Sequence, residues 1–368
     1  MRHRLTGGGH VPHPDFQSRI EHALQSLGDA VQSCTWLDLR ATPTPWQDTG
    51  ISVAAGQAVT LIADGMIYAS RALDIGFEAR TGLWYRIDDA PMAKIVGNAC
   101  TFYSARAGDL RITTKPPGEF AGRDGQFDPR YPRQRFAGAL TVAVILWRCD
   151  PIDALQQAAQ QEPTLFDAAL ARLQAPILPP QGWHYLWRLG QGEIFSPSPR
   201  HEGGVCCHTQ ADVGILQFPV DLPLTEETRV DWSWCVEQLP SKLPEHTEPT
   251  HDYLSLAVEF DNGLDLTWMW SVSLPTDTVF QCPLPWWDAR ETHWVVRSGT
   301  DQLGQWVNES RSVLADYQKA IGGDLPKRIV GIWLIANTVF QRAQGRCEYR
   351  DIQLHNGQRH PVVRVGIP

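Results

Sequence analysis

No stretch of about 18 consecutive apolar residues occurs in this chain, and that is the length a helix needs to cross a bilayer. The first residues, MRHRLTGGGHVPHPDF, contain no apolar leader core. The expectation is therefore a cytoplasmic protein with no membrane partner. Dense Lys/Arg runs are also missing. The nearest cluster, Arg123, Arg130, Arg133 and Arg135, is scattered among Gly, Pro and Asp, and the formal net charge is −9. A nucleic-acid partner is not expected from such a surface. No G-x-G-x-x-G opens a helix, and there is no Walker-type phosphate loop, no H-E-x-x-H and no G-x-S-x-G. Nucleotide enzymes, zincin proteases and α/β-hydrolases are disfavoured on that ground. The eight cysteines show no C-x-x-C pairing, so buried thiols are expected rather than a disulfide framework.

What the chain does have is length for two domains and the apolar content to build them: 368 residues, 43% of them hydrophobic and 20% charged. Its 15 tryptophans suit sandwich cores, or platforms on which flat ligands and sugars stack. Phe16, Ile20, Leu24, Leu27 and Val31 recur at helical spacing and predict an N-terminal helix. From Leu37 to Trp147 short strands alternate with Gly and Pro. GALTVAVILW, an unbroken apolar run, reads as a buried central strand. A long polar loop, KPPGEFAGRDGQFDPRYPRQ, precedes it. Asp150 and Pro151 then open a helical connector that Pro163 restarts.

Beyond the connector, strand periodicity is clean. In HDYLSLAVEF, Leu254, Leu256, Val258 and Phe260 form an apolar face, opposite His251, Tyr253, Ser255 and Glu259. RVDWSWCV and LDLTWMWS alternate in the same way, and SRSVLADYQKAIGG reads as one inserted helix. The fold class expected is mainly β: two antiparallel, jelly-roll-like β-sandwich domains joined by a helical connector, with an N-terminal helix. The boundaries are 1–36 for the arm and helix, 37–149 for the first sandwich, 150–178 for the connector and 179–368 for the second sandwich.

Residues 46–147 carry WQDTGISVAAGQAVTLIADGMIY, MAKIVGN and GALTVAVI. This stretch resembles the PA-I type of galactose-binding lectin, a small jelly roll. The resemblance implies sugar binding through a calcium ion held in the loop before the last strand. That loop supplies Asp128, but Arg133, Arg135 and Phe136 stand where oxygen ligands are implied. Calcium requires six to eight oxygens, so no cofactor is expected. The second half carries VDWSWCVEQLP, HDYLSLAVEFD, WMWS, WVVRSG, GQWVNESRSVLADY and VGIWLIANT in order. It resembles a bacterial family of unknown function, number 3047, with galactose-binding-like sandwiches. This chain departs from that family's Asp-Asp-aromatic pattern at His251, Asp252 and Tyr253, and again after Asn337.

Candidate catalytic residues are His251, Tyr253 and Glu259 on one strand face, and His293, which with Arg297 shares a face of THWVVR. Imidazoles and phenols within hydrogen-bond reach of a substrate can move protons, but a polar-out sheet face has the same pattern. Trp268, Trp270, Trp286 and Trp287 are candidate ligand-binding walls, with core packing the alternative for the first two. Arg297 is a candidate carboxylate clamp. Cys206 and His208 are weak metal candidates, as is Asp128. Two functions follow as expectations. One is a protein that binds a small molecule or carbohydrate; the other is a cofactor-independent isomerase, cyclase or lyase. Homo-oligomerisation is a further possibility.

Overall fold

The computed structural model describes residues 15–42, 46–118, 120–129, 135–357, 361, 363 and 364. The chain is mainly β and divides into two compact units: Met1–Ile177 with Trp187–Gln191, and Leu178–Leu186 with Gly192–Pro368. The arm before Asp15, Arg130 and Arg133 lie outside the described residues.

The first unit contains α1 (Phe16–Gln25), β1 (Val31–Arg40), β2 (Gln47–Val53), β3 (Ala58–Ser70), β4 (Ile75–Phe77), α2 (Ala79–Gly82), β5 (Leu83–Ile87), β6 (Ala93–Lys94), β7 (Ala99–Tyr103), β8 (Gly108–Thr114), β9 (Ala137–Trp147), α3 (Ile152–Gln161) and α4 (Pro163–Gln174). A sheet ordered β1-β9-β3-β4, with β7 on β3, faces a sheet ordered β2-β8-β5-β6. β9 lies between β1 and β3 and is apolar on both faces. Leu140, Val142, Val144 and Leu146 point into the sandwich. Ala143, Ile145 and Trp147 point outward beneath α1, α3 and α4. The run GALTVAVILW is apolar because both its faces are covered. α1 buries Phe16, Ile20, Ala23 and Leu24, whereas Val31, placed on the same helical face by its spacing, begins β1 instead. Pro151 is the N-cap of α3, and the Asp150 side chain, one residue earlier than a cap, accepts the Ile152 N–H at 3.0 Å. The polar loop folds down rather than extending: Phe120 bridges Phe127 and packs against Trp46 and Trp84.

The second unit contains β10 (His184–Tyr185), β11 (Phe195–Pro197), β12 (Val205–Gln210), β13 (Val213–Pro223), β14 (Thr228–Gln238), β15 (Tyr253–Phe260), β16 (Asp265–Ser271), β17 (Val279–Gln281), β18 (Glu291–Ser298), β19 (Val307–Ser312), α5 (Val313–Ala320), β20 (Arg328–Asn337), β21 (Gln344–Asn356) and β22 (Val363–Arg364). A seven-stranded sheet, β10-β13-β20-β15-β16-β18-β17, packs on a six-stranded one, β11-β12-β21-β14-β19 with β22 on β21. Leu254, Leu256, Val258 and Phe260 face Trp232, Trp234 and Tyr349 in one core. The apolar half of the predicted alternation is thus the sandwich interior.

One pairing differs from its neighbours. β16 and β18 run parallel, with Thr267 opposite His293. A parallel pair cannot be closed by a hairpin and requires a crossover. Residues 272–290 supply it and carry β17, which lies antiparallel on β18.

Candidate functional site

The residues on the other face of β15, β16 and β18 alternate out of the sandwich, yet they are not solvated. His251, Asp252, Ser255, Asp265, Thr267 and His293 are all 0% exposed, with Tyr253, Glu291 and Cys282 at 3% or less. Burying so many polar groups is unfavourable unless they satisfy one another or something else. Part of the set does so internally. Tyr253 donates its hydroxyl to Glu291 Oε1 at 2.8 Å. The Thr267 hydroxyl lies 3.1 Å from Asp265 Oδ1 and 3.3 Å from Glu291 Oε1. The rings of His251, Tyr253 and His293 are mutually packed, each pair of centroids 4.8 Å apart.

Each member is positioned from a different element. Asn337 on β20 donates to the His251 carbonyl at 2.8 Å, and Asp252 accepts the backbone N–H of Phe340 and Gln341. The stretch entering β15 is thereby tied to the end of β20. His251 Nδ1 sits 2.6 Å from the Glu245 carbonyl. A carbonyl only accepts, so Nδ1 carries the proton and Nε2 presents its lone pair. The Glu245 carboxylate accepts the N–H of Val272 at 2.7 Å, where the crossover starts. At its far end, Cys282 N–H bonds to the Glu291 carbonyl at 3.0 Å. Cys282 Sγ thus arrives 3.4 Å from His251 Nε2, and Phe280 stacks on the His293 ring at 4.9 Å.

Burial dominates the protonation states. It lowers the His251 pKa to about 4, against the raising effect of the Glu245 carbonyl. His293 is lowered well below the usual range, by burial first and by His251 second. Both imidazoles are neutral. Burial raises Glu291 to about 7 in spite of the hydrogen bonds from Tyr253, Cys282 and Thr267, and it pushes up the Asp265 carboxyl and the Cys282 thiol. Four atoms remain without a hydrogen-bond partner: both ring nitrogens of His293, Asp265 Oδ2 and Ser255 Oγ. His293 Nε2 approaches Glu291 Oε1 at 3.4 Å without hydrogen-bond alignment.

The predicted residues sort unevenly around this cluster. His251, Tyr253 and His293 converge. Glu259 does not: it is partly exposed and lies 3.5 Å from Arg290. Trp268 and Trp270 are not a ligand wall. They are core residues, packed at tilted angles on Trp232 and Trp234, with Nε1 donating to Asp316 and to the Gly299 carbonyl. Arg297 does not share the His293 face. A register shift between Met269 and Trp270 pairs Arg297 with Trp270, and such a bulge inverts alternation. Its guanidinium donates to Glu309 at 2.6 Å. Trp287 is buried on the crossover, with Trp286 half-buried against it and Arg290 over the Trp286 ring. Cys206 and His208 gain no further ligand among the described residues, and His208 is exposed. Asp128 is buried. Arg133 lies outside the described residues, Arg135 is exposed and Phe136 packs into the core. Neither Arg135 nor Phe136 carries a side-chain oxygen. The residues missed by periodicity are Cys282, Glu291, Asp265 and Thr267. The E-T-H spacing of 291–293 was a signal for Glu291, whereas nothing local announced Cys282.

No curated protein matches the chain. Among solved structures it is similar to the N-terminal domain of EclA, a PllA-like lectin, at 15% identity over 32% of this chain and 99% of that one, with a TM-score of 0.24. The xyloglucanase domain of NopAA from Sinorhizobium fredii, in complex with cellobiose, matches at 7% identity over 48% and 94% with a TM-score of 0.31. A carbohydrate-binding module of the β-sandwich superfamily matches at 9% over 88% and 99% with a TM-score of 0.20. Residues 195–353 match the family described as "Protein of unknown function (DUF3047)", and the C-terminal half of the chain resembles that family.

Proposed function

We propose that this protein binds a small, neutral, hydroxyl-rich molecule of the carbohydrate class on the polar face of β15, β16 and β18. The observation that carries this reading is the set of buried atoms still lacking partners: the His293 ring nitrogens, Asp265 Oδ2 and Ser255 Oγ. They mix donors with acceptors, as a polyol does. Two carboxyls, Asp265 and Glu291, lie in the cluster, and either one, when ionised, repels an anionic ligand. The lectin-like pattern of residues 46–147 supports the same ligand class. Because the groups are buried, entry requires the segments over this face to move aside.

The test is calorimetric titration of the full chain with neutral mono- and disaccharides beside sugar phosphates. Neutral sugars are expected to bind. Ser255→Ala and Asp265→Asn should each weaken binding by about 1–3 kcal/mol, the cost of an unmet buried hydrogen bond. A chain that binds no neutral sugar, or binds sugar phosphates more tightly, refutes the reading.

A further inference from the structure

We infer that His251, Cys282 and His293 form a buried zinc site. The inference concerns the same polar face as the proposed ligand site and shares His293 with it, but it needs no sugar. One donor atom from each of His251, Cys282 and His293 lies within 4.8 Å of the other two. No other group of three or more His, Cys, Asp or Glu donors gathers this closely among the described residues.

Cys282 Sγ lies 3.4 Å from His251 Nε2, within hydrogen-bond reach. Donors placed tetrahedrally at zinc–ligand distances of about 2.0–2.3 Å are separated by roughly 3.3–3.7 Å. The pair therefore already stands at the spacing of neighbouring ligands of one ion.

His293 supplies the independent observation. It is fully buried, and neither ring nitrogen has a hydrogen-bond partner. An imidazole left so in a core is unfavourable, and a metal bond is the strongest way to satisfy it. His251 shows the arrangement typical of a ligating histidine: Nδ1–H is held by the Glu245 carbonyl, and Nε2 points its lone pair at the Cys282 sulfur.

Zn²⁺ with one thiolate and two neutral imidazoles keeps one net positive charge, which a Glu291 carboxylate, 3.4 Å from His293 Nε2, offsets in a site excluded from solvent. On binding, the Cys282 thiol proton is released to solvent and a sulfur lone pair bonds to the ion. No oxidant or reductant takes part. An ion held there would pin the crossover, through Cys282, to the segments that carry His251 and His293.

The experiment uses the full chain without an affinity tag, purified in the absence of chelators. Elemental analysis is expected to find about one zinc per chain. After chelator treatment, cobalt titration should give intense visible absorption of tetrahedral cobalt and a near-ultraviolet thiolate-to-cobalt band. Cys282→Ser should abolish that band, while Cys206→Ser should keep it. His293→Ala should weaken cobalt binding by more than about 100-fold. A wild-type chain that takes up neither ion, or shows only the weak absorption of octahedral cobalt, overturns the inference. So does a thiolate band that survives Cys282→Ser. The wild-type titration decides the matter even where a variant does not fold. A chain that takes up cobalt but binds no sugar keeps the metal site and loses the proposed ligand; the reverse result loses the metal site alone.

Discussion

Two strand groups in this chain are covered on both faces, and they fill their second face in opposite ways. In the first unit, β9 sets Ala143, Ile145 and Trp147 against three helices. In the second, β15, β16 and β18 set Tyr253, Asp265, Thr267, Glu291 and His293 beneath the residues that cover them. An apolar second face contributes about 25 cal/mol for each Å² removed from water. A polar one forgoes most of that gain and adds desolvation. The helix-covered face is explained by stability alone. The polar face of the second unit is not, and that asymmetry is the argument for placing function there.

The comparison can be broken at its strong end first. Ile145→Asp puts a lone carboxylate on the apolar second face and is expected to destabilise the chain by about 4–5 kcal/mol or more, measured by urea unfolding. If Ile145→Asp is tolerated, the two faces do not differ in kind. Leu256→Ala opens a cavity in the interior of the second sandwich and should cost about 2–5 kcal/mol by the same measurement, with cobalt uptake retained. Asp316→Ala strands the Trp268 indole N–H, now donated at 3.0 Å, and should cost about 1–3 kcal/mol. His293→Leu is the sharpening case. In metal-free protein it should leave stability unchanged or raise it by about 1 kcal/mol while abolishing metal uptake, because an orphaned polar ring is replaced by an apolar side chain of similar size. A large loss of stability instead would mean that the cluster is structural packing. His208→Ala, at an exposed position, should change neither unfolding nor uptake, to within about 0.5 kcal/mol.

Much of this architecture could be read from spacing. The doubly apolar β9, the inner face of β15 and the helix α5 each follow from periodicity that local sequence carries. His251 and Tyr253 were legible as one surface for the same reason, and His293 as a candidate beside them. What spacing could not show was depth. A polar-out pattern reads as solvated until a second layer covers it, and that cover is distant in sequence. Cys282 reaches His251 across 31 residues because β16 and β18 run parallel, which no local motif announces. Arg297 was misplaced by one bulge, since a single extra residue reverses every side chain after it. Trp268 and Trp270 were open to two readings because an indole suits a core as well as a ligand wall.

The parallel pair also sets an order of events. An antiparallel neighbour can be added by a short turn, but β18 can join β16 only after the intervening chain has been drawn into a closed arc, with its entropy loss met in advance of any reward. The edge of this sheet should therefore acquire protection after β13, β20, β15 and β16 have paired. Pulsed hydrogen exchange during refolding would register that as late-appearing amides at Thr292 to Val295. A protein built this way completes its scaffold before its chemistry, so half-made chains would be compact yet inert.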